Sequence, residues 1–178
     1  WIGQRRKGKL GAVGEDSVVT LGAGASEVAV APAIGGAIAW YRTAVGARSI
    51  DWMRPATAAA IAAGDSGAMG CFPLVPFSNR IRDGRFRFAG RHVQLPLNVP
   101  GQPHAEHGHG WQARWQIVSR AENTLSLEYR HAADAWPFPY IARQVFRLDE
   151  NRLTIEIEAR NLGDVPMPIA LGLHPYFP

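Results

Sequence analysis

The sequence predicts an all-β fold, an antiparallel sandwich or barrel, and three features carry that prediction. Apolar and polar residues alternate with a period of two over several stretches, the mark of half-buried antiparallel strands. Gly, Pro, Asn and Asp punctuate the chain about every ten residues, which is the spacing of short strands joined by turns. Only one segment offers a helical pattern.

Taken in order, "SVVTLG", "SEVAVAP" and "GAIAWYRT" are three strands separated by Gly and Pro. The alanine-rich "PATAAAIAAG" (55–64) has Pro55 at its start and Gly64 at its stop, and fits either a short helix or a flexible insert. "RFRFAGRHVQLPL" (85–97) reads as two short strands around Ala89-Gly90, and "NTLSLEYR" (123–130) alternates through Leu125, Leu127 and Tyr129. "YIARQVFRL" (140–148) and "RLTIEIEAR" (152–160) are joined by "DEN", a turn sequence, and form a hairpin. In its second arm Leu153, Ile155, Ile157 and Ala159 point one way while Thr154, Glu156, Glu158 and Arg160 point the other.

With 178 residues, 47% of them apolar and 19% charged, the chain suits one globular domain with a substantial core. The net charge of +4 is local: Arg5, Arg6, Lys7 and Lys9 lie at the start, and the rest carries 15 basic and 15 acidic side chains. Residues 1–16 therefore read as a basic, disordered tail and residues 17–178 as the domain. Its electrical neutrality argues against a nucleic-acid surface. No apolar run reaches the ~20 residues of a membrane span, and no signal-peptide pattern follows the early charges, so a cytoplasmic protein without a membrane partner is expected. Cys71, the single cysteine, excludes an intrachain disulfide and sits in "GCFPLVP", where a buried, inert thiol is expected.

Chemistry is expected in four loops: "PFSNRIRDG" (76–84), "PHAEHGHGW" (103–111), "DAWPFPY" (134–140) and "GLHPYFP" (172–178). The second holds three of the six histidines, and "GQPHAEHGH" matches the G-x5-H-x-H opening of a cupin metal motif. That motif requires a Glu four or five residues after the second His, where this chain has Ala113 and Arg114, so no metal is expected and a cupin-like metal protein stays a minor alternative. A sugar suits the residues better. Trp111, Trp115, Trp136, Phe138, Tyr140 and Tyr176 offer flat surfaces for pyranose rings beside Asn, Arg and His that bond hydroxyls.

The ordered set "FPLVPFSNRIRDGRF", "HGHGW" and "LGLHPYF", with "VAPAIGGAIAWYR" upstream, resembles the aldose 1-epimerase (galactose mutarotase) family over roughly residues 17–178. The resemblance implies the antiparallel supersandwich of galactose mutarotase and a reaction that interconverts the α and β anomers of a free hexose. A base takes the C1 hydroxyl proton, an acid protonates the ring oxygen, and the ring opens and recloses; no cofactor is implied. By the same resemblance His174 is the general acid, His107 assists it, and Arg80 and Asn79 hold hydroxyls; of the aromatic residues, Trp111 and Tyr176 are expected to contact substrate. Histidine suits proton transfer because both of its states are accessible near neutrality.

The residues also admit plainer roles. Arg80 could pair with Asp83 across a turn, His174 could be a core histidine, and His109 is expected to be solvated at the surface. The family's general base, a glutamate, and the aspartate before it would fall beyond Pro178. The chain therefore reads as the N-terminal portion of such an enzyme, truncated and of little activity alone. A non-catalytic carbohydrate-binding module is the second reading. A hexose-6-phosphate 1-epimerase, with Arg82, Arg85 or Arg114 at the rim, is another.

Overall fold

The computed structural model describes residues 18–178, so the tail expected over residues 1–16 lies outside the described residues. The first half supplies β1 (Val19–Ala23), β2 (Ser26–Ala31), β3 (Ala37–Val45), β4 (Arg48–Met53), β5 (Cys71–Leu74), β6 (Arg80–Arg82), β7 (Arg85–Phe88) and β8 (Arg91–Gln94). The second half supplies β9 (His104–Glu106), β10 (Gln116–Arg120), β11 (Thr124–His131), β12 (Tyr140–Asp149), β13 (Arg152–Asn161) and β14 (Gly172–Pro175). One sheet runs β1-β2-β3-β5-β14 with β4 also on β3; another runs β10-β11-β12-β13; β6 pairs with β9 and β7 with β8. All named pairs are antiparallel, as the alternation predicted.

The two larger sheets pack face to face. Val19, Leu21, Val28, Val30 and Ile38 of the first meet Leu125, Leu127, Tyr140, Ala142, Phe146 and Leu148 of the second in one buried cluster. Full burial of each large apolar side chain is worth about 1.5–3 kcal/mol, so this layer is the principal adhesive. The period of two explains the arrangement: alternate residues of β12 face inward and Arg143, Arg147 and Asp149 face water. Gln144 is the polar exception, almost fully buried, and its Nε2 donates to the Gly36 carbonyl at 3.3 Å.

The first sheet also buries its opposite face. Ala29, Ala31, Ala37, Ala39, Phe72 and Leu74 gather there with Ile34, Met69 and Trp111 in a second apolar cluster. Small alanines on β2 and β3 let the Trp111 segment lie close. Gly35, at φ +70°, sits so near that a Cβ there would stand 2.0 Å from the Trp111 carbonyl oxygen.

Residues 55–64 resolve in favour of a helix, α1 (Ala58–Ala63), with the Thr57 side chain accepting the Ala60 N–H at 3.1 Å and Gly64 ending it at φ +68°. None of its residues is buried. Thr57→Ala should therefore cost no more than about 1 kcal/mol, measurable as a small shift in the urea midpoint. A loss several times larger would mean that the helix anchors more than its own turn.

Candidate sugar-binding and proton-transfer site

The site grows from the outward face of β5. Cys71 turns into the sandwich core, so Phe72 must turn the other way. β14 lies antiparallel beside it in a register that sets His174 directly opposite Phe72. Opposed residues share a face, and the two rings stack with centroids 4.9 Å apart. Tyr176, two residues on, packs 4.8 Å from His174, and Trp111 stacks on Phe72 at 5.2 Å. Arg54 lies 3.9 Å over the Tyr176 ring and gives its Nη2 hydrogens to the Gly67 and Met69 carbonyls at 3.1 and 2.9 Å.

His107 arrives from the loop after β9. Its imidazole stands edge-on to His174, centroids 5.3 Å apart. Two reciprocal bonds clasp it to the segment before β6: its N–H donates to the Asn79 carbonyl at 2.8 Å, and the Asn79 N–H donates to its Nδ1 at 3.1 Å. Both residues take left-handed backbone, at φ 59° for His107 and 60° for Asn79, strain of the kind that gathers at working sites. Because Nδ1 accepts, the neutral ring carries its proton on Nε2 and presents a donor there. Burial lowers the His107 pKa from 6.5, with His174 pushing the same way, Glu106 opposing and Arg80 adding to the fall.

Arg80 does not pair with Asp83. Its Nε donates to Glu106 Oε1 at 3.0 Å, and its Nη1 reaches Asn79 Oδ1 at 3.4 Å. The pairing follows from the β6–β9 ladder, which places Arg80 directly opposite Glu106. Glu106 was missed in the sequence, and its side chain is only 8% exposed against 47% for Arg80. Its backbone is held by Asn98, whose Oδ1 accepts the Glu106 N–H at 2.8 Å while its Nδ2 donates to the Glu106 carbonyl at 2.7 Å.

The motif residues His107, His174, Arg80, Asn79, Trp111 and Tyr176 thus form one linked group, to which Phe72, Glu106 and Arg54 are added. The other histidines of "HAEHGHGW" go elsewhere. His104 accepts the Asp83 N–H at 3.2 Å and lies 3.9 Å from its carboxylate. His109, expected at the surface, instead turns inward: its Nε2 lies 2.7 Å from the Tyr140 hydroxyl and its ring 4.3 Å from His131. Among the described residues no three His, Cys, Asp or Glu side chains converge as metal ligands. Trp115, Trp136, Phe138 and Tyr140 belong to the core. The Cys71 thiol is buried, as expected, and burial pushes its pKa up to about 12 against a hydrogen bond from the His174 backbone. No helix among the described residues is long and apolar enough to cross a membrane.

The aldose 1-epimerase family model matches residues 17–178. The uncharacterized protein YphB of Escherichia coli K12 is 42% identical over 108 residues, 61% of this chain and 37% of that protein. A crystal structure from E. coli K12, provisionally assigned as an aldose 1-epimerase, is 34% identical and superposes with a TM-score of 0.80 over 90% of this chain and 52% of its own. The GalM/aldose epimerase homologue of C. elegans, at 20% identity, shares the fold with a TM-score of 0.75 over 90% of this chain and 50% of that one. The chain thus spans about half the length of these solved relatives.

Proposed function

Because the chain belongs to the aldose 1-epimerase family, we propose that it carries the sugar-binding and proton-donating wall of a mutarotase site, acting on a free aldose. The observation that carries this reading is the meeting of His107 and His174, 5.3 Å apart, beside Arg80. The aromatic rings of Tyr176 and Trp111 supply flat apolar surface, and the Arg80 guanidinium keeps donors for hydroxyls after bonding Glu106.

In this reading His174 gives a proton to the ring oxygen as the C1–O5 bond breaks and recovers it on closure. Among the described residues its buried Nδ1 has no hydrogen-bond partner, so Nε2 is the nitrogen left to exchange a proton. His107, neutral and protonated on Nε2, donates a hydrogen bond to the same region of the sugar. A positioned acid of this kind is worth about 10²–10⁴ in rate.

The test is an NMR titration of the chain with galactose, following both imidazoles. Signals of His107 and His174 should move together with one dissociation constant, and Arg80→Ala should weaken it about tenfold, or 1.4 kcal/mol. Sugar that moves neither ring would end the proposal. Binding with no acceleration of anomer exchange would leave a carbohydrate-binding module. Exchange at an enzyme-like rate, abolished by His174→Ala, would place a working base within these residues.

A further inference from the structure

Glu106 has no role in the scheme above, yet a carboxylate is rarely kept so dry without a reason. Its Oε1 is taken by Arg80 Nε at 3.0 Å. Its Oε2 makes no hydrogen bond to another side chain among the described residues, and lies 4.0 Å from His107 Nε2. That separation is too long for a direct hydrogen bond. It is short enough for one oxygen atom to stand within bonding distance of both, about 2.8 Å from each.

The two atoms differ in what they ask of that oxygen. His107 Nε2 is a donor, because Nδ1 already accepts the Asn79 N–H. Glu106 Oε2 is an acceptor. An oxygen between them must accept one hydrogen bond and donate another, which a hydroxyl does and the unprotonated oxygens of sulfate or an ionised carboxylate do not. An anionic oxygen would moreover face the Glu106 charge across a poorly hydrated gap. The nearby cations do not offset this. Arg80 keeps donors for a ligand, but Glu106 already balances its charge, and Arg54 is directed at the Tyr176 ring and two backbone carbonyls.

We propose that Glu106 and His107 form a hydroxyl-selective subsite, which gives the pocket to neutral aldoses and turns anionic groups away. This rests on the mutarotase reading for the identity of the ligand as a sugar. Glu106 is a specificity-determining residue in it. The arrangement is built in rather than accidental, since Asn98 fixes the Glu106 backbone at both its N–H and its carbonyl, and at the Gly108 carbonyl beyond (3.0 Å).

Glu106→Gln tests the charge with little change of shape. Its amide oxygen can keep the Arg80 bond, which leaves an NH2 facing the gap, so that both sides donate and an anionic oxygen fits. Galactose and sulfate, an anion with no donating hydroxyl at neutral pH, serve as probes, with binding read from the His107 ring signals. In the wild type, sulfate should fail to displace galactose. In the variant, the preference for galactose over sulfate should fall at least tenfold. The same ratio in both proteins, or sulfate displacing galactose from the wild type, would overturn the proposal; the second result needs no variant.

A readout without ligand separates this from the mutarotase reading. Removing the Glu106 charge, which holds the His107 pKa up, should lower the His107 titration midpoint. If neither protein binds sugar, the mutarotase reading falls. The pairing of Glu106 with His107 then survives only if that midpoint drops, and an unchanged midpoint overturns it as well.

Discussion

Gly108→Ala should destabilise the protein by more than about 3 kcal/mol, the largest single-residue effect expected in the site. Gly108 follows His107 at φ +71°, where an L side chain is strained. A Cβ there would stand 2.0 Å from the Val75 carbonyl oxygen, 2.3 Å from its carbon and 2.6 Å from Pro76 N. No rotamer relieves a backbone collision. The Val75 oxygen is itself held, accepting the N–H groups of His109 at 3.0 Å and Gly110 at 2.9 Å, so moving it breaks two further bonds. The histidine loop is thereby pressed onto the end of β5, and its displacement would carry His107 away from His174. Urea denaturation followed by circular dichroism measures the effect. A loss below about 1 kcal/mol would show that the loop can shift without penalty.

Acidification from pH 7 to pH 4 should cost about 2 to 3 kcal/mol through His109 alone. Burial lowers its pKa from 6.5 to about 4, with His131 adding to the fall and Asp134 opposing it. In the unfolded chain the ring takes a proton near 6.5; in the fold it refuses one until about 4. Between those values the unfolded state binds more protons, so stability rises with pH across the window and is lost as pH falls through it. The groups around the ring explain the refusal: the Tyr140 hydroxyl, the His131 ring and Tyr129 crowd it, and no carboxylate among the described residues pairs with it directly. His109→Gln keeps a partner for Tyr140 and removes the titration. The difference in unfolding free energy between pH 7 and pH 4 should be smaller in the variant by that amount. An equal acid loss in both proteins would assign the loss to other groups.

The fold was legible wherever a strand shows one face to the core and one to water. β7 and most of β12 and β13 alternate in burial, and β11 alternates in residue type through Leu125, Leu127 and Tyr129, although Ser126 between the leucines is buried too. Strands without that contrast escaped notice. β5 is buried on both faces and contains Pro73, β10 is exposed at every residue, and β9 and β14 are only three and four residues long. Their existence depends on neighbours far away in the chain, which periodicity does not report.

The site divides in the same way. His107, His174, Arg80, Asn79, Trp111 and Tyr176 sit in motif segments and were named from them. Glu106 was overlooked because its partner is set by the β6–β9 register rather than by spacing; a turn contact with Asp83 looked closer for Arg80. His109 was placed at the surface because its glycine neighbours suggest a loop, while the residues that bury it, Tyr129, His131 and Tyr140, come 20 or more positions later.

Strand β14 also sets the order of events during folding. Among the described residues it pairs with β5 alone, about 100 residues earlier in the chain, and it carries His174. The β11–β12–β13 meander joins strands that are neighbours in the chain and so closes only local loops. β14 can dock only after its long loop is closed, and contacts of such range form slowly. On a ribosome, which releases the N-terminus first, β5 therefore emerges and waits while the meander folds. His174, the proposed acid, thus rides on the latest-translated of the described strands and docks onto a face to which β5 already contributes.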